Sequence, residues 1–206
     1  MLSPRPHDLL RLSPAGVLPP DAPPWAKGAL SATPWVVVRR AAAPMGRIAV
    51  GVRGTSRSER YATTVDTDDV CEVVAPEDLA HVLLPRRRRE LATMRTLDIV
   101  RPVLDDTGLP WGPTGSVGYE LATAIHAATP ESDLDLLVRV PRDSSGTVGL
   151  LAALHRELGS LPARVDCQVE TPSGAVALAE LVDGPPDVML RTAAGPRLVP
   201  RAAAVS

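Results

Sequence analysis

Phenylalanine is absent from this chain, lysine occurs once, at Lys27, and aromatic residues make up only 2% of the sequence. A core must therefore be assembled from Leu, Val, Ala and a few Ile, in a composition rich in Ala, Arg and Pro. Cysteine is nearly absent too. Cys71 and Cys167 stand far apart without metal-ligand spacing, which excludes a thiolate zinc site and a disulfide framework and predicts reduced, half-buried thiols in a cytoplasmic protein. No apolar run approaches the ~18 residues of a membrane span, and Met1-Leu2-Ser3-Pro4-Arg5-Pro6-His7 has no apolar targeting core, so no membrane partner is expected.

What is present is enough for folding. An apolar content of 45% over 206 residues supports one larger domain or two small ones. The net charge of −2 is unevenly spread: residues 1–110 carry fifteen Lys/Arg against thirteen Asp/Glu, and residues 111–206 carry seven against eleven. An acidic second half can hold divalent cations, whereas tracking a nucleic-acid backbone calls for the opposite bias, so nucleic acid is excluded as a partner.

The first 34 residues contain eight prolines, which predicts an arm without long regular elements; His7-Asp8 reads as a local cap or turn, and 7–12 as one short turn of helix or strand. From Trp35 the chain turns β-branched. Val36-Val37-Val38 and Ile48-Ala49-Val50-Gly51-Val52 predict two strands, plausibly a hairpin, with Arg39, Arg40, Arg47, Arg53, Arg57 and Arg60 in or just after them. Solubilising surface arginines and bidentate contacts to a polyanion are both open readings of these six. A further short strand is expected at 70–74 and a helix start at Pro76, with a domain boundary near residue 84.

The second domain, 85–206, begins with four consecutive arginines, Arg86 to Arg89, expected to be exposed at the start of an amphipathic helix over 91–104. Helices are then predicted over 117–128, 147–158 and 173–182. Strands are predicted over 134–140 and 164–170, with short strands at 187–191 and 197–199 joined by a Gly195-Pro196 turn. The resulting class is α+β: a small, mostly β N-terminal domain, 1–84, followed by an α/β catalytic unit, 85–206.

Two features of that unit suggest chemistry. Gly115-Ser116 opens an apolar helix, where a close backbone, first-turn amides and a hydroxyl suit a phosphate oxygen, although an ordinary N-cap reads the same way. Asp133 and Asp135 stand two apart on a strand and so share a face. Mg²⁺ takes one or two such carboxylates together with substrate phosphate oxygens. Asp166 on the next strand is the candidate third acid, with Glu170 as its substitute, and such a set suits in-line displacement at phosphorus.

Gly-Ser, a variable helix and Asp-x-Asp resemble the nucleotidyltransferase superfamily. More narrowly, Gly115-Ser116-Val117-Gly118-Tyr119-Glu120-Leu121-Ala122-Thr123 and Ser132-Asp133-Leu134-Asp135-Leu136 resemble the phosphoribosyl-dephospho-CoA transferases, the holo-acyl-carrier-protein synthases of malonate decarboxylase. His7-Asp8-Leu9-Leu10, Val38-Arg39-Arg40, Gly51-Val52-Arg53 and Gly195-Pro196-Arg197-Leu198 extend the similarity over nearly the whole chain.

The resemblance implies a nucleotidyltransferase-like catalytic domain. It also implies transfer of the phosphoribosyl-dephospho-CoA group from 2'-(5''-triphosphoribosyl)-3'-dephospho-CoA to a serine of the acyl-carrier subunit, with release of diphosphate. Asp133 and Asp135 would hold Mg²⁺, Gly115 and Ser116 would cradle phosphate, and Asp166 would follow by superfamily logic. Arg39, Arg40 and Arg53 would meet the donor's phosphates and residues 86–89 an acidic carrier. A nucleotidyltransferase with a small-molecule acceptor, or a non-catalytic nucleotide-binding regulatory module, are the alternatives.

Overall fold

The computed structural model describes residues 4–14, 18–56, 58–84, 86–141 and 146–205. The chain forms two compact units, Met1–Ala75 and Pro76–Ser206. The N-terminal unit is built on a five-stranded antiparallel sheet of order β4-β3-β2-β1-β5, from β1 (Leu9–Leu12), β2 (Trp35–Val38), β3 (Arg47–Arg53), β4 (Arg60–Asp66) and β5 (Val70–Val74). Helix α1 (Pro24–Ala32) joins β1 to β2.

The expected hairpin partners, β2 and β3, do pair. The proline-rich arm, however, is part of the fold itself. Leu9 to Leu12 sit between β2 and β5, with Leu10 fully buried, and α1 starts on Pro24, where a missing N–H and a fixed φ cost nothing. Strand β4 was not expected. Only Val65 of this strand is buried, which is why alternation did not reveal an edge strand that pairs along its whole length with β3. The His7-Asp8 turn is as expected: Asp8 is buried, and its Oδ2 accepts the Arg5 amide at 2.7 Å.

The C-terminal unit contains α2 (Pro76–Leu79), α3 (Ala92–Asp105), β6 (Trp111–Pro113), α4 (Gly115–Thr123), β7 (Leu134–Arg139), α5 (Thr147–Leu158), β8 (Val165–Thr171), β9 (Gly174–Ala177), α6 (Leu178–Asp183), β10 (Asp187–Thr192) and β11 (Gly195–Pro200). Its six strands lie in sequence order. Only β7 and β8 are parallel, and the crossover between them runs through α5. Leu134, Leu136 and Val138 of β7 pack in one core with Leu97 of α3, Leu151 of α5 and Leu178 of α6. Cys167 of β8 lies in the same core, and burial pushes its thiol up to about 12, so it serves as a small apolar side chain there, while Cys71 is exposed.

Three boundaries outside α4 differ from the sequence-based expectations. The units divide at Ala75/Pro76 rather than near residue 84, because α2 is anchored in the second unit: Glu77 pairs with Arg139 at 2.6 Å, and Gly112 of β6 lies hard against the Pro76 carbonyl. The helix expected over 173–182 is α6 alone. Residues 174–177 instead form β9, which turns back on β8, with Thr171 Oγ1 donating to the Gly174 carbonyl and accepting the Ser173 amide. Thr192 repeats that device with Gly195 and Ala194, so the last hairpin turns at Ala193-Ala194 and Gly195-Pro196 belong to β11.

The seat of α2 on β6 allows a direct test. A Cβ at Gly112 would lie 1.8 Å from the Pro76 carbonyl oxygen, a backbone atom that cannot step aside. Gly112→Ala should therefore lower the unfolding free energy by about 2–3 kcal/mol, read as a reduced urea midpoint at unchanged m-value.

Candidate active site

Strand β6 ends at Pro113, Thr114 precedes the helix, and α4 begins at Gly115 with φ +58°, a backbone conformation that glycine adopts without strain. The antiparallel register of β6 on β7 sets Pro113 against Leu136, and the Thr114 amide donates to the Asp135 carbonyl at 2.9 Å. Asp135 is thereby carried over the first residue of α4. A Cβ at Gly115 would stand 1.8 Å from Asp135 Oδ2, so the missing side chain is what admits the carboxylate. Ser116 is buried in the same first turn, and Thr114 makes no side-chain cap there.

The parallel pairing of β7 with β8 sets Asp135 opposite Asp166, which is exposed. Side chains at paired positions of adjacent strands point to one face, so these two acids are neighbours. Asp133 lies just before β7, beside Arg164, whose Nη1 is 3.8 Å from Asp133 Oδ2. Gly115, Ser116, Asp133, Asp135 and Asp166 thus come together at one end of the β7–β8 pair. Glu170 does not join them. It is buried toward the other end of β8, opposite Arg139, whose Nη1 is 4.0 Å away, and so belongs to the Arg139–Glu77 ion-pair cluster instead.

Among the described residues no group of three or more His, Cys, Asp or Glu could by itself hold a metal ion. The donor set fits Mg²⁺ nonetheless, since that ion needs one or two carboxylates and takes its remaining ligands from water and substrate phosphates. Asp133 and Asp135, the latter seated against Gly115 at the start of α4, supply that minimum.

Arg39, Arg40 and Arg53 lie in the N-terminal unit. Arg39 and Arg40 follow β2, and Arg53 ends β3 opposite Arg60. Arg47 is engaged with Thr64 and Asp66, and Arg57 lies outside the described residues.

The expectation that Arg86 to Arg89 are all exposed does not hold. Arg87 and Arg89 are exposed and the Arg86 side chain is not described, but Arg88 is turned inward. Its Nε donates to Glu120 Oε1 at 2.5 Å, and its Nη2 donates to Glu120 Oε2 at 2.8 Å and to the Ala128 carbonyl at 2.7 Å. Glu120 Oε2 also accepts the amides of Ala127 and Ala128 at 2.9 and 3.0 Å. This explains why α4 stops at Thr123, with Ala124 left-handed at φ +59°, instead of running to 128: a carboxylate takes amides that a continued helix would use. The one clue in the sequence is a lone acid within an otherwise apolar helix.

Burial pushes the Glu120 carboxyl up, but the Arg88 bonds and the Ala128 and Ala127 amides outweigh it and hold the group below the ordinary glutamate range. A carboxyl depressed in the folded state adds stability above its unfolded value, and that stability is lost as pH falls through the folded value. Thermal midpoints should therefore drop as pH falls below 4.5, the ordinary value, with a shallower acid limb in Glu120→Gln. Arg88→Met, which strands a buried carboxylate, should cost about 3 kcal/mol in chemical denaturation at neutral pH.

Comparison with known proteins bears on both units. Residues 5–76 match the family model described as Phosphoribosyl-dephospho-CoA transferase MdcG N-terminal domain, and residues 79–202 match that of its C-terminal domain. A phosphoribosyl-dephospho-CoA transferase of Pseudomonas putida is 44% identical over 204 residues, spanning 97% of this chain and 95% of that protein. A protein of the same name from Azotobacter vinelandii is 44% identical over 202 residues, 96% of this chain and 93% of its own. Another from Pseudomonas syringae pv. tomato is 43% identical over 195 residues, 94% and 90% of the two chains. No solved structure gives a significant match. With both domain models matched and relatives at this identity over nearly their full length, the chain belongs to the phosphoribosyl-dephospho-CoA transferase family of enzymes.

Proposed function

We propose that the C-terminal unit is a nucleotidyltransferase-like domain that moves the phosphoribosyl-dephospho-CoA group from 2'-(5''-triphosphoribosyl)-3'-dephospho-CoA to a serine of the acyl-carrier subunit of malonate decarboxylase. Diphosphate is released. The relatives' name supports the group transferred, and the observation that carries the site is the seat of Asp135 Oδ2 over Gly115, with Asp166 opposite Asp135 in register.

In this reading the serine Oγ–phosphorus bond forms at the α-phosphate as the α–β anhydride bond breaks, and diphosphate carries away the leaving electron pair. Asp166, exposed at the mouth of the strand pair, takes the serine proton. Gly115 and the first-turn amides of α4 orient a phosphate oxygen, with the Ser116 hydroxyl beside them. Asp133 and Asp135 would hold Mg²⁺, which would neutralise charge developing on the phosphate oxygens. The acidic carrier docks elsewhere than on Arg88, whose guanidinium is committed to Glu120. We assign the reaction to the cytoplasm, where the unpaired thiols Cys71 and Cys167 stay reduced. No helix among the described residues is long and apolar enough to cross a membrane.

Incubation of the apo carrier subunit with the triphosphoribosyl donor and Mg²⁺ should add the mass of the prosthetic group to the carrier, read by mass spectrometry. Asp133→Asn and Asp135→Asn should each abolish that shift, and substantial activity in either removes the metal assignment. Gly115→Ala, which pushes the Asp135 carboxylate out of place, should lower kcat by about 100-fold.

A further inference from the structure

Several arginines of the C-terminal unit have structural partners. Arg88 is bound to Glu120, Arg139 to Glu77, Arg101 to Asp98 and the carbonyls of Ala80 and Val82, and Arg201 to the carbonyls of Val182 and Gly184. Arg164 differs in where its charge lies. Its backbone is fixed, because its carbonyl accepts the Leu134 amide at 2.9 Å in the β7–β8 register. Its side chain is 78% exposed, and its described ion pair is with Asp133 Oδ2 at 3.8 Å, one of the two carboxylates assigned to the metal.

An exposed pair at that distance contributes little to folding, so the guanidinium can leave Asp133 at small cost. It also shares its anchor with the proposed metal. A divalent ion on Asp133 Oδ2 repels a guanidinium held at the same oxygen, and the nearest new anion for a displaced arginine is the substrate polyphosphate. The planar guanidinium pairs bidentately with phosphate oxygens.

We infer that Arg164 is a substrate-binding residue that neutralises Asp133 until the metal–polyphosphate complex enters and then passes to the diphosphate portion of the donor. The inference rests on the reading of Asp133 and Asp135 as the metal pair. It makes Arg164 a cation supplied by the catalytic unit itself, next to the acids and two residues before Asp166 in the chain.

The two roles require one substitution to have opposite effects on two ligands. Mn²⁺ alone, titrated by electron paramagnetic resonance, should bind Arg164→Ser about threefold more tightly than wild type, because a competing cation has been removed. Inorganic diphosphate in the presence of Mg²⁺, titrated by calorimetry, should bind the same variant about tenfold more weakly, with Arg164→Lys in between. Equal affinities in wild type and Arg164→Ser for both ligands would overturn the inference while leaving the metal pair in place. Failure of the wild-type chain to bind Mn²⁺ any better than Asp135→Asn overturns the metal pair, and the inference with it.

Discussion

The candidate site depends on one close approach. Asp135 Oδ2 occupies the space that a side chain at residue 115 would fill, and the contact is fixed from both sides by backbone geometry. On one side the β6–β7 register and the Thr114 amide tie the start of α4 to Asp135; on the other, the parallel β7–β8 pairing sets Asp166 opposite it. The glycine-opened first turn of α4 and the acids Asp135 and Asp166 are thereby held together by sheet hydrogen bonds rather than by loop packing. That is how a polar constellation stays rigid in a unit whose core is aliphatic.

The far end of α4 is secured differently. Glu120 and Arg88 form a paired, hydrogen-bonded charge unit that also satisfies the Ala127 and Ala128 amides and the Ala128 carbonyl. Such a pair contributes less to net stability than its short distances suggest, because both groups lose water, but it defines where the helix ends and where the chain leaves for Asp133. Thus one helix meets the Asp135 carboxylate at its start and carries a charge clamp at its last turns.

Much of this could be read from the residues. Gly-Ser at a helix start and a helix over 147–158 follow from local signals, and the structure has them at those positions, whereas of the Asp-x-Asp pair only Asp135 lies on β7 and Asp133 falls just before it. What was not legible depended on partners distant in sequence. Arg88 in an arginine run looks solvated until Glu120, 32 residues on, is folded against it. A short strand was one reading of residues 7–12, but not its place between β2 and β5, and Arg60 to Asp66 lack the alternation that would mark an edge strand. Glu170 had the same spacing logic as Asp166, yet register sends it to Arg139. Spacing gives the face of a strand, and only pairing gives the neighbour.

The central claim is that Asp133 and Asp135, seated beside Gly115, form the divalent-cation site of this transferase. Anomalous diffraction from crystals grown with Mn²⁺ and diphosphate tests it most directly. The account predicts a peak in contact with carboxylate oxygens of Asp133 and Asp135 and with a diphosphate oxygen, lost in Asp135→Asn. A peak held by other residues, or one that persists unchanged in Asp135→Asn, would contradict it.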